Sequence, residues 1–342
     1  MNSKIKRVFY IGILTVVIGL TGCSTGDSSA PKKEQTAADQ NQAMADQNAN
    51  QKQGEFIDQQ KYPAEIKRNG NVVDVTFYTT QNKIEIAKDK YYQGWTFDGT
   101  IPGPVLRVKQ GDKVRFTLVN KDPNMPHSID FHAAETAPDK NYKDINPGES
   151  YTFEWDANVP GAFMYHCGTP PVLSHIANGM YGSIIVDPVA SKDQPAFDKA
   201  REFVLVQSEF YKDANDINDM MNGQPQVVVF NGKANKYKDK PLEAKPGELI
   251  RIYVVNAGPN NFSAFHIVGA IFDKAYPNGN PKNVQYGMQT VTVSPGGSYA
   301  VELRVPNEGL YPMVTHSFKD ATKGAMGYLK ITKDAKDQPL AP

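Results

Sequence analysis

Residues 106–120 read LRVKQGDKVRFTLVN, and residues 242–256 return the pattern as LEAKPGELIRIYVVN. Lys, Gly, an acidic residue, Arg and a closing Val-Asn fall at the same places in both. Further along, NPGESYTFEW (146–155) is matched by SPGGSYAVEL (294–303). The matches are offset by 136 and 148 residues, which describes one domain copied once with a modest loop insertion. Solenoid and propeller repeats have far shorter periods, so they are excluded.

Working outward, KVRFTLVN, SYTFEWDA, LIRIYVVN and SYAVELRV alternate apolar and polar residues between Gly, Pro and Asn punctuation. Closely spaced short strands of this kind imply an all-β chain with a β-sandwich or Greek-key barrel in each half. The 24 prolines, 27 glycines and frequent Val, Tyr and Phe also favour β structure over helix. At 342 residues there is room for two such domains. We place them at 63–188 and 201–334, with a linker at 189–200 and a tail at 335–342. A short helix is expected within 211–223.

The first 23 residues form a separate object. Lys4, Lys6 and Arg7 precede VFYIGILTVVIGL, an apolar run too short to span a bilayer comfortably. It ends in LTGC, which resembles the lipobox of bacterial lipoproteins; lipidation would fall on Cys23. The alternative is an uncleaved membrane anchor with an incidental cysteine. Residues 24–62 are polar and rich in Gln, Asn, Asp, Ala and Ser, the composition of a flexible tether. Together these predict an extracytoplasmic protein held to a membrane by lipid. The formal net charge of zero gives no reason to expect nucleic acid as a partner.

With Cys23 lipidated, Cys167 is the only other cysteine and an internal disulfide is excluded. An unpaired thiol in a secreted chain calls for burial or metal ligation. Of six histidines, four (127, 132, 166 and 175) crowd the first copy. Cys167, His175 and Met180 form C-x7-H-x4-M, and His127 in MPHSIDFH is the best candidate for a second imidazole. Two imidazoles, a thiolate and a weak thioether are the ligands of a blue-copper electron-transfer site.

Strand parity extends the argument. His166 and Cys167 are adjacent, so on a strand they face opposite sides. His127 and His132 are five apart and also diverge if one strand carries both. If Cys167 and His127 share one metal, His132 and His166 point together toward a second, with Asp130 on the same face as His132. A third ligand for that second site should come from the other copy, where YPMVTHSF places His316 near the counterpart of FMYHC. His266, in FSAFHIVGA, lies in the segment parallel to MPHSIDFH. The second copy has no cysteine and cannot build a thiolate site of its own.

MPHSIDFHAA, FMYHCGTPPVLSHIANGM, FHIVG and YPMVTHSF resemble the four signature segments of copper-containing nitrite reductases, in order. The likeness covers about residues 66–332, both cupredoxin-like domains. It implies two coppers per chain: a type 1 copper at His127, Cys167, His175 and Met180, and a type 2 copper at His132, His166 and His316. It also implies Asp130 and His266 as the catalytic pair and Val268 as the aliphatic cap of the substrate pocket. The family is a homotrimer with each type 2 site between subunits, so His316 would come from a neighbour. The activity implied is one-electron reduction of nitrite to nitric oxide, fed by an external donor such as a cytochrome c or small cupredoxin.

Two positions depart from the family pattern. The spacing from Cys167 to His175 is one residue shorter than in the best-known members, and Ile271 stands near a place where a further histidine is common. Two rival readings fit the residues less well. A laccase-like multicopper oxidase needs about ten histidines and H-x-H pairs, which this chain lacks. A copper-binding electron carrier would need only the first copy and leaves His316, Asp130 and His266 unexplained.

Overall fold

The computed structural model describes residues 65–336. The apolar leader, Cys23, the polar stretch up to residue 64 and the tail from 337 lie outside the described residues. Among the described residues, no helix is long and apolar enough to cross a membrane.

The repeated stretch shows how the fold is made. Leu106–Lys109 and Lys113–Asn120 are two strands separated by a turn at Gly111, and Leu242–Ala244 and Leu249–Asn256 repeat this around Gly247. Both glycines sit in the left-handed region, at φ 87° and 73°. With open space around them, conformation rather than crowding explains the residue type. In each copy the turn throws the chain from one sheet to the other, which closes a sandwich.

In the first half, Leu106–Lys109 runs parallel to Tyr181–Asp187, and that strand pairs antiparallel with Gly161–His166. Lys113–Asn120 joins the other sheet, parallel to Val72–Ala87 and antiparallel to Ser150–Asp156. The second half repeats the plan. Leu242–Ala244 lies parallel to Met326–Ile331, and Leu249–Asn256 parallel to Arg201–Phe210. Four sheets thus make two cupredoxin-like domains. The fold is mostly β, with five helices of four to six residues among the described residues. Within the expected helical stretch, only Ile217–Met221 is helical, capped by the Asp216 carboxylate.

Each half has its own apolar core, and a third core joins them. Ala162, Met164, Tyr181 and Ile185 from the first half pack with Val204, Val206, Tyr253 and Val255 from the second. Full burial of such side chains is worth about 1.5–3 kcal/mol each. Arg107 ties the halves further, pairing with Asp187 at 2.7 Å and Glu202 at 2.6 Å. The Gly161–His166 strand is therefore clamped on one side by its own sheet and on the other by the second half. Its end carries the site.

Candidate metal centre

Cys167 follows the Gly161–His166 strand directly, and its N–H donates to the Met180 carbonyl at 3.0 Å. The Met180 N–H donates in turn to the His175 carbonyl at 3.0 Å. These two bonds fold the intervening chain back on itself, with His175 in the short helix Val172–Ala177. The loop from Cys167 to His175 therefore delivers its histidine beside the sulfur. His175 Nδ1 lies 3.2 Å from Cys167 Sγ. His127 enters from the segment before Asp130–Phe131, its Nδ1 3.3 Å from that of His175 and 3.9 Å from the sulfur. All four side chains are buried.

The protonation pattern suits ligation. His127 Nε2 lies 2.9 Å from an Asp122 carboxylate oxygen. A carboxylate accepts, so the proton sits on Nε2 and the Nδ1 lone pair faces the sulfur. Burial alone would raise the thiol, but His127, the Ser128 N–H and the Thr169 hydroxyl outweigh it and hold Cys167 below its ordinary range. Burial pushes His175 down to about 4, which keeps its ring neutral. Three soft or borderline donors at the corners of one small triangle leave a central point about 2 Å from each, the length of transition-metal bonds to imidazole and thiolate. The residues fit a metal.

A second cluster lies on the other side of the same dipeptide. Asp130 pairs opposite His166 across the sheet, and the His132 N–H donates to the Met164 carbonyl at 3.1 Å. His166 donates from Nδ1 to the Cys167 carbonyl at 2.8 Å, so its Nε2 carries the lone pair. That Nε2 sits 3.0 Å from His132 Nε2 and 3.8 Å from an Asp130 oxygen. Burial lowers the His166 pKa, and the neighbouring His132 lowers it further. Two imidazole nitrogens aimed at each other with a carboxylate beside them fit a cation. The cluster opens on a cavity of about 300 Å³ that also touches Leu173, Gly258 and Gly296.

His127 and His132 fall in different clusters, but not as two faces of one strand. Asp130–Phe131 is a strand of only two residues, with His127 before it in an isolated bridge to Ile145 and His132 in the turn after it. No single strand carries both histidines: His127 is held by its bridge to Ile145 and His132 by the turn.

Among the described residues, these are the two groups of three or more ligating side chains. His266 and His316 join neither group. They meet each other instead, with ring centroids 5.6 Å apart, on the Ser263–Ile267 strand and just beyond Gly309–Thr315. His266 donates from Nδ1 to the Gln289 carbonyl at 2.6 Å, leaving Nε2 free. Around them Val268, Ile271 and Phe318 are exposed. Asp122 escaped the sequence reading. Comparison of the repeats contained the signal: VNKDPN stands against VNAGPN, a charge where the other copy has glycine.

Multicopper oxidase family profiles match residues 78–191 and 201–330. The copper-containing nitrite reductase of Neisseria meningitidis serogroup B is 40% identical over 283 residues, covering 79% of this chain and 70% of that protein. The solved copper nitrite reductase from Nitrosomonas europaea is 43% identical with a TM-score of 0.75, covering 79% of this chain and 98% of that one. A copper-containing nitrite reductase from Thermus scotoductus is 36% identical with a TM-score of 0.72, covering 78% of this chain and 63% of that one.

Proposed function

The chain belongs to the copper-containing nitrite reductase family, and from that premise we propose how its residues reduce nitrite to nitric oxide. The observation that carries the reading is the divergence of His166 and Cys167, which lets one dipeptide serve both ligand clusters. Copper is the metal, with a type 1 site at His127, Cys167, His175 and Met180 and a histidine-rich second site. When bound, copper supplies an electron-accepting centre at the first cluster and a Lewis-acidic seat for an anion at the second.

The chain's own residues do the rest. Cys167 and His166, joined by one peptide, form a short covalent path from the electron-entry cluster to the catalytic one. His132 and His166 hold the second site from this chain, and His316 of a neighbouring subunit in a homotrimer completes it. The exposed position of His316, outside both clusters of its own chain, supports that arrangement. Nitrite, one electron and two protons give nitric oxide and water. Asp130 stands beside the His166 nitrogen and delivers one proton. His266, with Nδ1 committed to the Gln289 carbonyl, delivers the other from Nε2. Val268 caps the pocket and limits it to a small anion. A cytochrome c or small cupredoxin supplies electrons, and lipidation at Cys23 holds the enzyme on the outer face of a membrane.

Two measurements test this reading. Metal analysis should return two coppers per chain, against four for an oxidase and one for a carrier. Under anaerobic conditions with a reduced dye, added nitrite should yield nitric oxide; a chain with two coppers that makes none overturns the proposal.

A further inference from the structure

We propose that Asp122 is a positioning residue that fixes the His127 ring and holds the copper of the first cluster toward its oxidised state. The inference rests on the reading of His127, Cys167, His175 and Met180 as a copper site. Asp122 is fully buried. One carboxylate oxygen accepts from the Asn124 N–H at 2.8 Å and from Gln81 Nε2 at 3.0 Å. The other accepts from Gln81 Nε2 at 2.9 Å and from His127 Nε2 at 2.9 Å. The Asn124 N–H and Gln81 Nε2 can only donate, and His127 Nε2 donates when its Nδ1 faces the cluster, so both oxygens act as acceptors.

No Lys or Arg forms an ion pair with this carboxylate among the described residues. Its charge is therefore felt through the one imidazole that ties it to the metal cluster. Carboxylate and thiolate together bring two negative charges. They balance a doubly charged copper and leave one excess negative charge when the copper is reduced. In a buried, water-poor setting that excess is costly, so the carboxylate stabilises the oxidised ion and lowers the reduction potential. Reduced copper then releases its electron more readily along Cys167 and His166. The second half is the internal control. Asn256 accepts the Gly258 N–H at 3.1 Å just as Asn120 accepts the Asp122 N–H at 2.9 Å, so glycine stands where the first half has the carboxylate. In that half no histidine follows at the place of His127.

The test uses the full copper-loaded chain, equilibrated with redox dyes and followed through its thiolate-to-copper absorption. Asp122→Asn keeps an acceptor for His127 but removes the charge. It should move the equilibrium about tenfold or more toward reduced copper, equivalent to about 59 mV for one electron. Asp122→Glu should stay within about threefold of wild type. An Asn variant within that threefold range, its absorption intact, overturns the proposal, as does a Glu variant that shifts as far as the Asn variant. If Asp122→Asn does not fold, Gln81→Leu leaves the charge with one donor fewer. It should move the equilibrium toward oxidised copper, and no movement or the opposite movement overturns the proposal. A wild-type chain without the absorption would instead remove the copper reading itself.

Discussion

The two halves hold corresponding residues in the same backbone frame, and only one half binds metal through it. The Ser128 N–H donates to Cys167 Sγ at 3.4 Å; the Ala264 N–H donates to Thr315 Oγ1 at 3.1 Å. The Cys167 N–H reaches the Met180 carbonyl at 3.0 Å, and the Thr315 N–H reaches that of Ala325 at 3.2 Å. Met180 bonds back to the His175 carbonyl, and Ala325 to that of Asp320. Asn120 reaches the Ile145 carbonyl beside His127, and Asn256 the Val293 carbonyl beside Ser263. Ser263, Thr315, Asp320 and Ala325 thus stand where the first half has His127, Cys167, His175 and Met180. The fold supplies the positions, and side chains alone decide whether they form a copper site.

Cys167→Thr breaks the comparison most severely, because it writes the second half's residue into the first. Thr315 shows that the frame accepts threonine, so the cost in stability should be no more than about 1–2 kcal/mol. Without thiolate the soft-ligand site is gone. Copper content should fall from two to one per chain, the visible absorption should vanish, and donor-dependent turnover should be lost. Retention of two coppers would mean that the ligand assignment is wrong.

With Asp130 and His266 in their proposed roles, the halves also divide the proton chemistry. Asp130 lies ten residues beyond Asn120, and His266 ten beyond Asn256, so both come from the same place in their copies. Asp130→Asn and His266→Ala should each keep both coppers and lose turnover by about 10²–10⁴, the worth of one general acid-base group. Near-normal nitrite turnover in both variants would end the assignment. Loss in only one would show that a single half supplies the protons.

Much of this was legible from residues 106–120 and 242–256, because alternation and Gly-bearing turns are local properties. The separation of the two clusters was legible because neighbours on a strand must diverge, and His166 and Cys167 do. What the sequence concealed depends on three dimensions. A two-residue strand at Asp130–Phe131, ended by a turn at His132, replaces the continuous strand that parity requires. Asp122 reads as an ordinary loop aspartate until burial and a contact to His127 give it a role. His316 aligns near the metal strand yet joins neither cluster of its own chain, and the neighbouring subunit proposed to receive it cannot be read from one chain's residues.

The smallest expected effect comes from a turn that the halves fill differently. Asp98 and Asn231 both sit at positive φ, 55° and 50°, each before a glycine. Asp98 accepts the Tyr78 N–H at 2.8 Å, and Asn231 accepts that of Val206 at 2.6 Å. The second contact differs: Asn231 Nδ2 donates to the Val204 carbonyl at 2.8 Å, whereas the other Asp98 oxygen is buried with no hydrogen-bond partner. Burial pushes the Asp98 carboxyl up to about 7. The folded chain therefore holds a proton that the unfolded chain releases near pH 4, and wild type loses stability as pH rises from about 4 to 7. Asp98→Asn supplies a neutral group with a donor, as the second half already does. Thermal unfolding should find the variant close to wild type at pH 4–5 and more stable by about 1–2 kcal/mol at pH 8, a discounted share of the 1.36 kcal/mol per pKa unit. Parallel stability curves for the two proteins across that range would show that this aspartate is already ionised in the fold.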